Sequence, residues 1–458
     1  HLNGDGNPIG AADGTEVPNA NKGEPVQGVV FTAYPITDIN LTKSEDWTKI
    51  SALSAPGAIP DSACANPTAP TLAGHTLGSG MPSSETDGQG SATIMQMPVK
   101  AYLVCETKAP SDIVQKAKPF VVTIPHPNTA AEDANGKWLY DVNVYPKNEA
   151  IDLEKTIEEQ KTNGYGIGSL VKFPVSSELP TLDAKSYYKY FQLRDTMDEH
   201  LTEVTATDIT LGGAKMDPGD YKVVTSGQTV TVTFTKVGLG KLKEAAGKPV
   251  QAVFEGKVAS ASNNGDITNK AQLISDTTYA EQPPNPEEPP TTPDNPPTTE
   301  TVTTYWGNLT IKKVDSHDTA GNKAGLKGAE FQLYKAKDSY AGTCSKDKEG
   351  DAIAVNGETT LTTDDTGAIN IQGLFVSDSI DEAGRDNKVN ATERCYVLVE
   401  TKAPAGFVLP SGDDAVTAVK VKAGTVTTDD VTVENTKQSV PGLPLTGANG
   451  MLILTASG

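Results

Sequence analysis

Aromatic side chains are scarce in this 458-residue chain, at 6%, and it has only five histidines. His1, His75, His126, His200 and His317 stand apart with no metal-ligand spacing, so they read as surface or turn residues and no metal site is expected. Basic residues are in deficit, 38 Lys and Arg against 59 Asp and Glu, for a formal net charge of -21. Such a surface repels phosphate backbones and anionic membranes, which argues against nucleic acid or a membrane as partner. Missing as well are a Gly-x-Ser-x-Gly elbow, a Walker loop and a dinucleotide fingerprint, so no cofactor and no turnover chemistry are expected. No apolar run approaches the roughly 20 residues of a membrane span. The run Met451, Leu452, Ile453, Leu454 is short, and His1-Leu2-Asn3 opens into turn-rich sequence; a signal peptide and a full span are the segments that processing of an exported chain is expected to remove. The acidic stretches Asn3-Gly4-Asp5-Gly6-Asn7 and Asp315-Ser316-His317-Asp318 lack a full calcium-loop pattern and read as turns.

What is present points to β structure. The chain has 42 glycines and 31 prolines, and short Val/Thr-rich alternations are bounded by turn residues. Its length exceeds one ordinary core, so several domains are expected. The four cysteines fall in two separated pairs; three pairings are possible in principle, and Cys64 with Cys105 and Cys344 with Cys395 close the shorter loops. An exported, oxidising setting fits.

From Glu281 to Thr304 prolines are too dense for a core and favour extended polyproline geometry, which reads as a spacer. Beyond it, alternation predicts strands at Leu309 to Asp315, Ala329 to Tyr334, Tyr396 to Glu400 and Val431 to Asn435. The first part of the chain echoes this plan. Gly28 to Tyr34 parallels Gly328 to Tyr334, and Tyr102 to Pro110 parallels Tyr396 to Pro404, which implies internal repetition. Between them, strands are expected at Tyr221 to Thr225, Thr229 to Thr235 and Val250 to Val258, with a short helix at Gly238 to Ala246.

Three motifs converge. Leu443-Pro444-Leu445-Thr446-Gly447 resembles a cell-wall sorting signal, the segment from Trp138 to Lys147 resembles a pilin motif, and Tyr396 to Phe407 resembles an E-box. Together they resemble the sortase-assembled shaft pilins of Gram-positive actinobacteria, similar to Actinomyces fimbrial shaft subunits and corynebacterial Spa-type backbone pilins. The resemblance implies an all-β fold of three tandem immunoglobulin-like β-sandwich domains of CnaA/CnaB type. Their expected limits are 1–147 and 148–280, a Pro-rich linker 281–303, a third domain 304–440, and the sorting signal with its apolar tail at 441–458. It further implies a covalent polymer of identical subunits, extracellular and anchored to the cell wall. A class C pilus sortase would join Thr446 of one copy to Lys147 of the next, with a tip pilin and peptidoglycan as further partners.

Internal cross-links are implied too. On the strand from Leu309, alternation puts Lys313 on the apolar face. In domains of this type such a lysine attacks an Asn side chain, here Asn435, expelling ammonia, while a carboxylate, here Glu400, shuttles protons. A buried Lys313-Glu400 salt bridge is the plainer alternative, though it leaves Asn435 unexplained. The middle domain offers Lys155, Asn269 and Asp195, with Lys161 and Asp198 as substitutes. In the first domain Glu106 lies in an E-box-like strand, but Pro146 stands where Asn435 would, and the amine-bearing strand would precede His1; the Cys64-Cys105 bridge is expected to brace it instead. Tension between Lys147 and Thr446 would then load the two cross-linked domains and spare the first. A wall-anchored adhesin that binds a glycan or a host protein is the second reading; it would need no acceptor lysine.

Overall fold

The alternating stretches become strands because each buries one face and pairs its backbone with neighbours. A computed structural model describes residues 13–17, 24–55, 57–129, 137–289, 295–321, 323–425 and 431–439. In the first unit the sheet runs in the order Met81–Pro82, Val30–Pro35, Lys100–Lys108, Phe120–Ile124. Its central strand is covered on both sides: Ala101, Leu103 and Cys105 enter one apolar cluster with Tyr34 and Ile36, while Tyr102 and Val104 enter another with Ala33.

The middle unit is a sandwich. One sheet orders Ala214–Lys215, Leu201–Leu211, Pro249–Val258, Leu170–Glu178 and Glu154–Lys155; the other orders Tyr221–Ser226, Thr229–Phe234, Ser186–Thr196 and Ala271–Tyr279. The expected short helix is Lys236–Glu244, and Thr235 caps it by accepting a hydrogen bond from the Gly238 amide at 3.3 Å. The last unit pairs Glu330–Ala336, Glu393–Lys402 and Val416–Lys422 in one sheet. In the other, Val302–Asp315 lies between Asp266–Asn269 and Ala368–Asp378, and Val431–Asn435 runs parallel to it.

The internal repetition reaches the hydrogen-bond register. Phe31 pairs with Glu106 just after a bulge at Val30, and Phe331 pairs with Glu400 just after a bulge at Glu330. The two E-box strands therefore present their glutamates from equivalent places.

Two features depart from the sequence reading. Asp266–Asn269, expected within the middle domain, hydrogen bonds into the last unit's sheet, with Ile267 opposite Thr304, before Ala271–Tyr279 returns to the middle sheet. The proline-rich stretch does not stand free over its described residues. Thr299 donates its amide to the Ala271 carbonyl and Leu273 donates to Pro297, both at 2.9 Å, so the end of the stretch lies along a middle-unit strand. Proline lacks a donor but keeps its carbonyl, which is enough for such docking.

The middle and last units share one apolar cluster, from Val171 and Phe173 through to Phe375 and Tyr396. At their junction the Ile167 amide donates to the Gly373 carbonyl at 2.7 Å, and Phe375 donates to Tyr165 at 2.8 Å. A Cβ on Gly166 would fall 2.1 Å from the Ala354 carbonyl oxygen, so only glycine admits this approach. The fully buried Arg394 guanidinium sits against Asp386 at 2.7 Å and the Tyr340 hydroxyl at 2.8 Å, and faces the Tyr165 ring. The middle unit's Tyr165 reaches the same group, its hydroxyl donating to Asp386 at 2.7 Å, so one aromatic side chain ties the buried ion pair of the last unit to the middle one.

Candidate cross-linking and acceptor sites

The parallel pairing of Val302–Asp315 with Val431–Asn435 sets Lys313 opposite Val433 and Asp315 opposite Asn435. Residues two apart share a face, so Lys313 and Asn435 both point inward. Leu309, Ile311 and Lys313 are all buried, as their alternation predicts. The Lys313 Nζ lies 3.0 Å from Glu400 Oε2 and donates a hydrogen bond to Asn435 Oδ1, while Asn435 Nδ2 donates to Glu400 Oε1 at 2.7 Å. Burial lowers the Lys313 pKa, which favours the neutral, nucleophilic amine. The three groups thus form a closed ring, with the amine against the amide and the carboxylate touching both.

In the middle unit Lys155 Nζ lies 2.7 Å from Asp195 Oδ2, both side chains fully out of water, with the Phe173 ring centroid 5.0 Å from the amine. Burial lowers the lysine pKa and raises that of Asp195, so both shifts favour a neutral amine beside a neutral acid. Asn269 is buried, and its Nδ2 donates to the Met197 sulfur at 3.2 Å. Asn269 Oδ1 and Asp195 Oδ1 are buried without a hydrogen-bond partner, an uncommon state for amide and carboxyl oxygens. Of the alternatives, Lys161 is exposed, and Asp198 binds His200 and the Thr268 amide instead.

The described residues of the first unit hold the carboxylate and the asparagine of a related set. Glu106 is 3% exposed and accepts from the Ala117 amide at 2.9 Å and from Asn148 Nδ2, whose distances to Oε1 and Oε2 are 2.9 and 2.8 Å. Burial raises the Glu106 pKa. Among the described residues no lysine ammonium bonds to it. The segment beside the pilin-like stretch lies within the chain: the Asn143 amide donates to Gly14, and Val17 donates to the Tyr145 hydroxyl, both at 2.9 Å. Residues 13–17 contain no lysine. Aligning Asn435 with Pro146 missed Asn148, two residues on; an Asn immediately after Lys147 was the available signal.

Lys147 has 39% of its side chain exposed and pairs with Glu149 Oε1 at 2.9 Å. Before it, only Trp138–Leu139 of the pilin-like segment is paired, with His126–Pro127. Tyr140, Trp138 and Val144 are 67%, 48% and 43% exposed, so the alternation here does not mark a buried face. Thr446 and the rest of Leu443 to Gly447 lie outside the described residues. Both disulfides form, Cys64–Cys105 and Cys344–Cys395, with Cα separations of 5.6 and 5.5 Å. Among the described residues no helix is long and apolar enough to cross a membrane, and no cluster of His, Cys, Asp and Glu is arranged for a metal.

Comparison with known proteins agrees with this architecture. Residues 3–149 match the family described as Gram-positive pilin subunit D1, N-terminal domain, and residues 307–437 match a prealbumin-like fold domain. The chain is 64% identical to the fimbrial subunit type 2 of Actinomyces naeslundii, across all of this chain and 85% of that protein. It is 66% identical to the crystal structure of the Actinomyces fimbrial adhesin FimA, which covers 63% of this chain and 100% of that one, with a TM-score of 0.58. Against the full-length major pilin SpaD of Corynebacterium diphtheriae the identity is 30%, the coverage 95% of both chains and the TM-score 0.65. An all-β chain of stacked sheets, with a pilin first domain and a prealbumin-like last one, belongs to the Gram-positive fimbrial pilin subunits.

Proposed function

We propose that this chain is the shaft subunit of a pilus, polymerised by a class C sortase that links Thr446 of one copy to Lys147 of the next. The carrying observation is the exposed Lys147 amine at the end of the first unit, in a chain whose sorting signal Leu443 to Gly447 lies at the far end. In the transfer, a sortase cysteine takes the Thr446 acyl group and releases the amine of Gly447. The Lys147 Nζ, having given up its proton, then attacks the thioester and the thiol leaves, so one amide is broken and one formed. The product would be an extracellular fibre anchored to peptidoglycan, with a tip pilin at its other end.

The internal cross-links belong to the same reading. Lys313 Nζ would attack Asn435 Cγ, Glu400 would carry the amine proton to the departing Nδ2, and ammonia would leave. Support comes from the ring of contacts among the three and from a burial that favours the neutral amine. Lys155, Asn269 and Asp195 would react in the same way. The Lys313-Asn435 bond would close the last unit near its ends, and the Lys155-Asn269 bond would tie the opening of the middle unit to the strand that enters the last unit's sheet, so tension from Lys147 to Thr446 would run through covalent links.

The test is incubation of the purified chain with a pilus sortase. A ladder of covalent oligomers that survives boiling in detergent is expected; a chain that is cleaved yet stays monomeric counts against the polymer. For the middle unit, Asp195→Ala is expected to weigh one ammonia more than the parent after correction for the substitution, and an unchanged corrected mass would remove Lys155-Asn269 from the scheme. The adhesin reading has one observation in its favour, since the solved Actinomyces relative is described as a fimbrial adhesin. A shaft that also binds a glycan or a host protein satisfies both.

A further inference from the structure

Asn269 belongs to the middle unit's candidate triad, yet it stands on a strand of the last unit's sheet. Asp266–Asn269 forms an antiparallel ladder with Val302–Asp315, Ile267 opposite Thr304 and Asn269 opposite Val302, and the Trp306 amide donates to the Gly265 carbonyl at 2.8 Å. A ladder sets the face to which each side chain points, so residues 302–305 aim the Asn269 amide. Middle-unit contacts to this strand are sparser: the Thr268 amide donates to Asp198 at 3.2 Å, and middle-sheet pairing resumes at Ala271. The Lys155 side also leans on the last unit. Glu154–Lys155 is a two-residue strand at the edge of its sheet. Just beyond it, Arg385 Nη1 donates to the Ile157 carbonyl at 3.0 Å, and the Asp386 amide donates to Glu159 Oε1 at 2.8 Å. Arg385 is itself fixed, with its side chain 7% exposed and its Nη2 on Asp378 Oδ2 at 3.0 Å. Asp195, by contrast, lies within the middle sheet, opposite Val230 and Ala271. The carboxylate is held by its own unit, while amine and amide are both steadied by the next.

We infer that the last unit completes the reactive site of the middle one: residues 302–305 and Arg385 are positioning residues for the Lys155-Asn269 amide, which forms once the last unit has folded against the middle unit. This rests on reading Lys155, Asn269 and Asp195 as a cross-linking set. Attack of the Lys155 Nζ on the Asn269 Cγ demands a narrow approach, and a misplacement of about 1 Å can cost on the order of a hundredfold in rate. Before the last unit folds, residues 266–269 have no ladder and the short edge strand at Lys155 frays, so amine and amide are not held together. The last unit's own triad needs no such help, because Lys313, Glu400 and Asn435 all stand on its own strands. An order follows. The part of the chain synthesised last governs when the part before it becomes cross-linked.

The experiment follows the freshly synthesised full chain by mass spectrometry. Samples taken over time are digested, and the branched peptides joining Lys155 to Asn269 and Lys313 to Asn435 are quantified separately. Arg385→Ala removes the contact to Ile157 and belongs to neither triad. It is expected to slow the Lys155-Asn269 amide by about tenfold, while the Lys313-Asn435 amide forms at the parent rate. Arg385→Lys can still donate to the Ile157 carbonyl and should recover part of the loss. An Arg385→Ala chain that closes the middle amide at the parent rate overturns the inference, and so does equal slowing of both amides, which marks a general loosening of the last unit. If Arg385→Ala forms neither amide because it does not fold, Glu159 decides. Glu159→Gln keeps an oxygen for the Asp386 amide and should close the middle amide faster than Glu159→Ala; equal rates in the two overturn the inference. The parent chain separates the levels: if the Lys155-Asn269 peptide never appears beside Lys313-Asn435, the cross-linking reading of the middle unit itself fails, whereas a parent that closes both beside an unaffected Arg385→Ala removes only the dependence on the last unit.

Discussion

Replacing Lys147 by alanine should leave a folded chain that forms no covalent oligomers with sortase, while its own Thr446 is still passed to a small amine. The folded state should barely notice the change. The side chain is 39% exposed and its pairing with Glu149 is a surface contact, so the cost is expected to be within about 0.5 kcal/mol. The loss of oligomers should be complete because no other group can take the place of the nucleophile at that position. Lys147→Arg makes the distinction sharper. Arginine keeps the charge and can hold Glu149, but its guanidinium does not give up a proton in proteins, so this variant should be equally inactive. If charge alone mattered, Lys147→Arg would polymerise. Mixed with the parent chain, Lys147→Ala can donate but cannot accept, so it should occupy only one terminus and shorten the ladder in proportion to its share.

Glu400→Ala should produce the largest change in stability. Without a carboxylate to move protons between Lys313 and Asn435 the amide is not formed, and the corrected mass should be one ammonia above the parent. The lost link spans 122 residues of sequence. A cross-link of such length restricts the unfolded chain by about 4–5 kcal/mol, and the Cys344–Cys395 bridge inside the same loop takes up part of that. The variant also leaves a buried amine without its carboxylate, a further cost of roughly 3–5 kcal/mol where the pair remains uncyclised. At several degrees per kcal/mol for a domain of this size, the midpoint of the last unit should fall by more than about 10 °C. Glu400→Gln separates chemistry from packing. It preserves shape and hydrogen bonding but cannot shuttle a proton, so it should share the ammonia mass difference and lose less stability. A Glu400→Gln chain with the parent's corrected mass would show that the carboxylate is not needed.

How much of this was readable from residues alone follows from what a strand pattern encodes. Alternation reports which face is buried, so Lys313 could be placed among Leu309 and Ile311 on the inward side, and the strand ending at Asn435 was found at its observed limits. It does not report which sheet a strand joins. Asp266–Asn269 alternates like its neighbours, and only its pairing with Val302–Asp315 assigns it to the last unit. Exposed apolar residues mislead in the opposite direction: Trp138, Tyr140 and Val144 alternate like a strand yet face solvent, and most of that stretch has no ladder. In one dimension Lys161 is a substitute for Lys155. Packing separates them, since only Lys155 reaches Asp195 between two phenylalanine rings. Asn148 stands two residues beyond Pro146, the position that a residue-by-residue match of the repeat sets against Asn435, so its contact with Glu106 is visible only in three dimensions.

The most direct measurement is mass mapping of the sortase-assembled polymer after proteolytic digestion under non-reducing conditions. A branched peptide should appear in which the Thr446 carbonyl, still attached to Leu443-Pro444-Leu445, forms an amide with the Nζ of Lys147, and it should be absent from the monomer. A polymer whose Thr446 is attached to any other lysine, or whose subunits separate without breaking an amide, would contradict the shaft assignment.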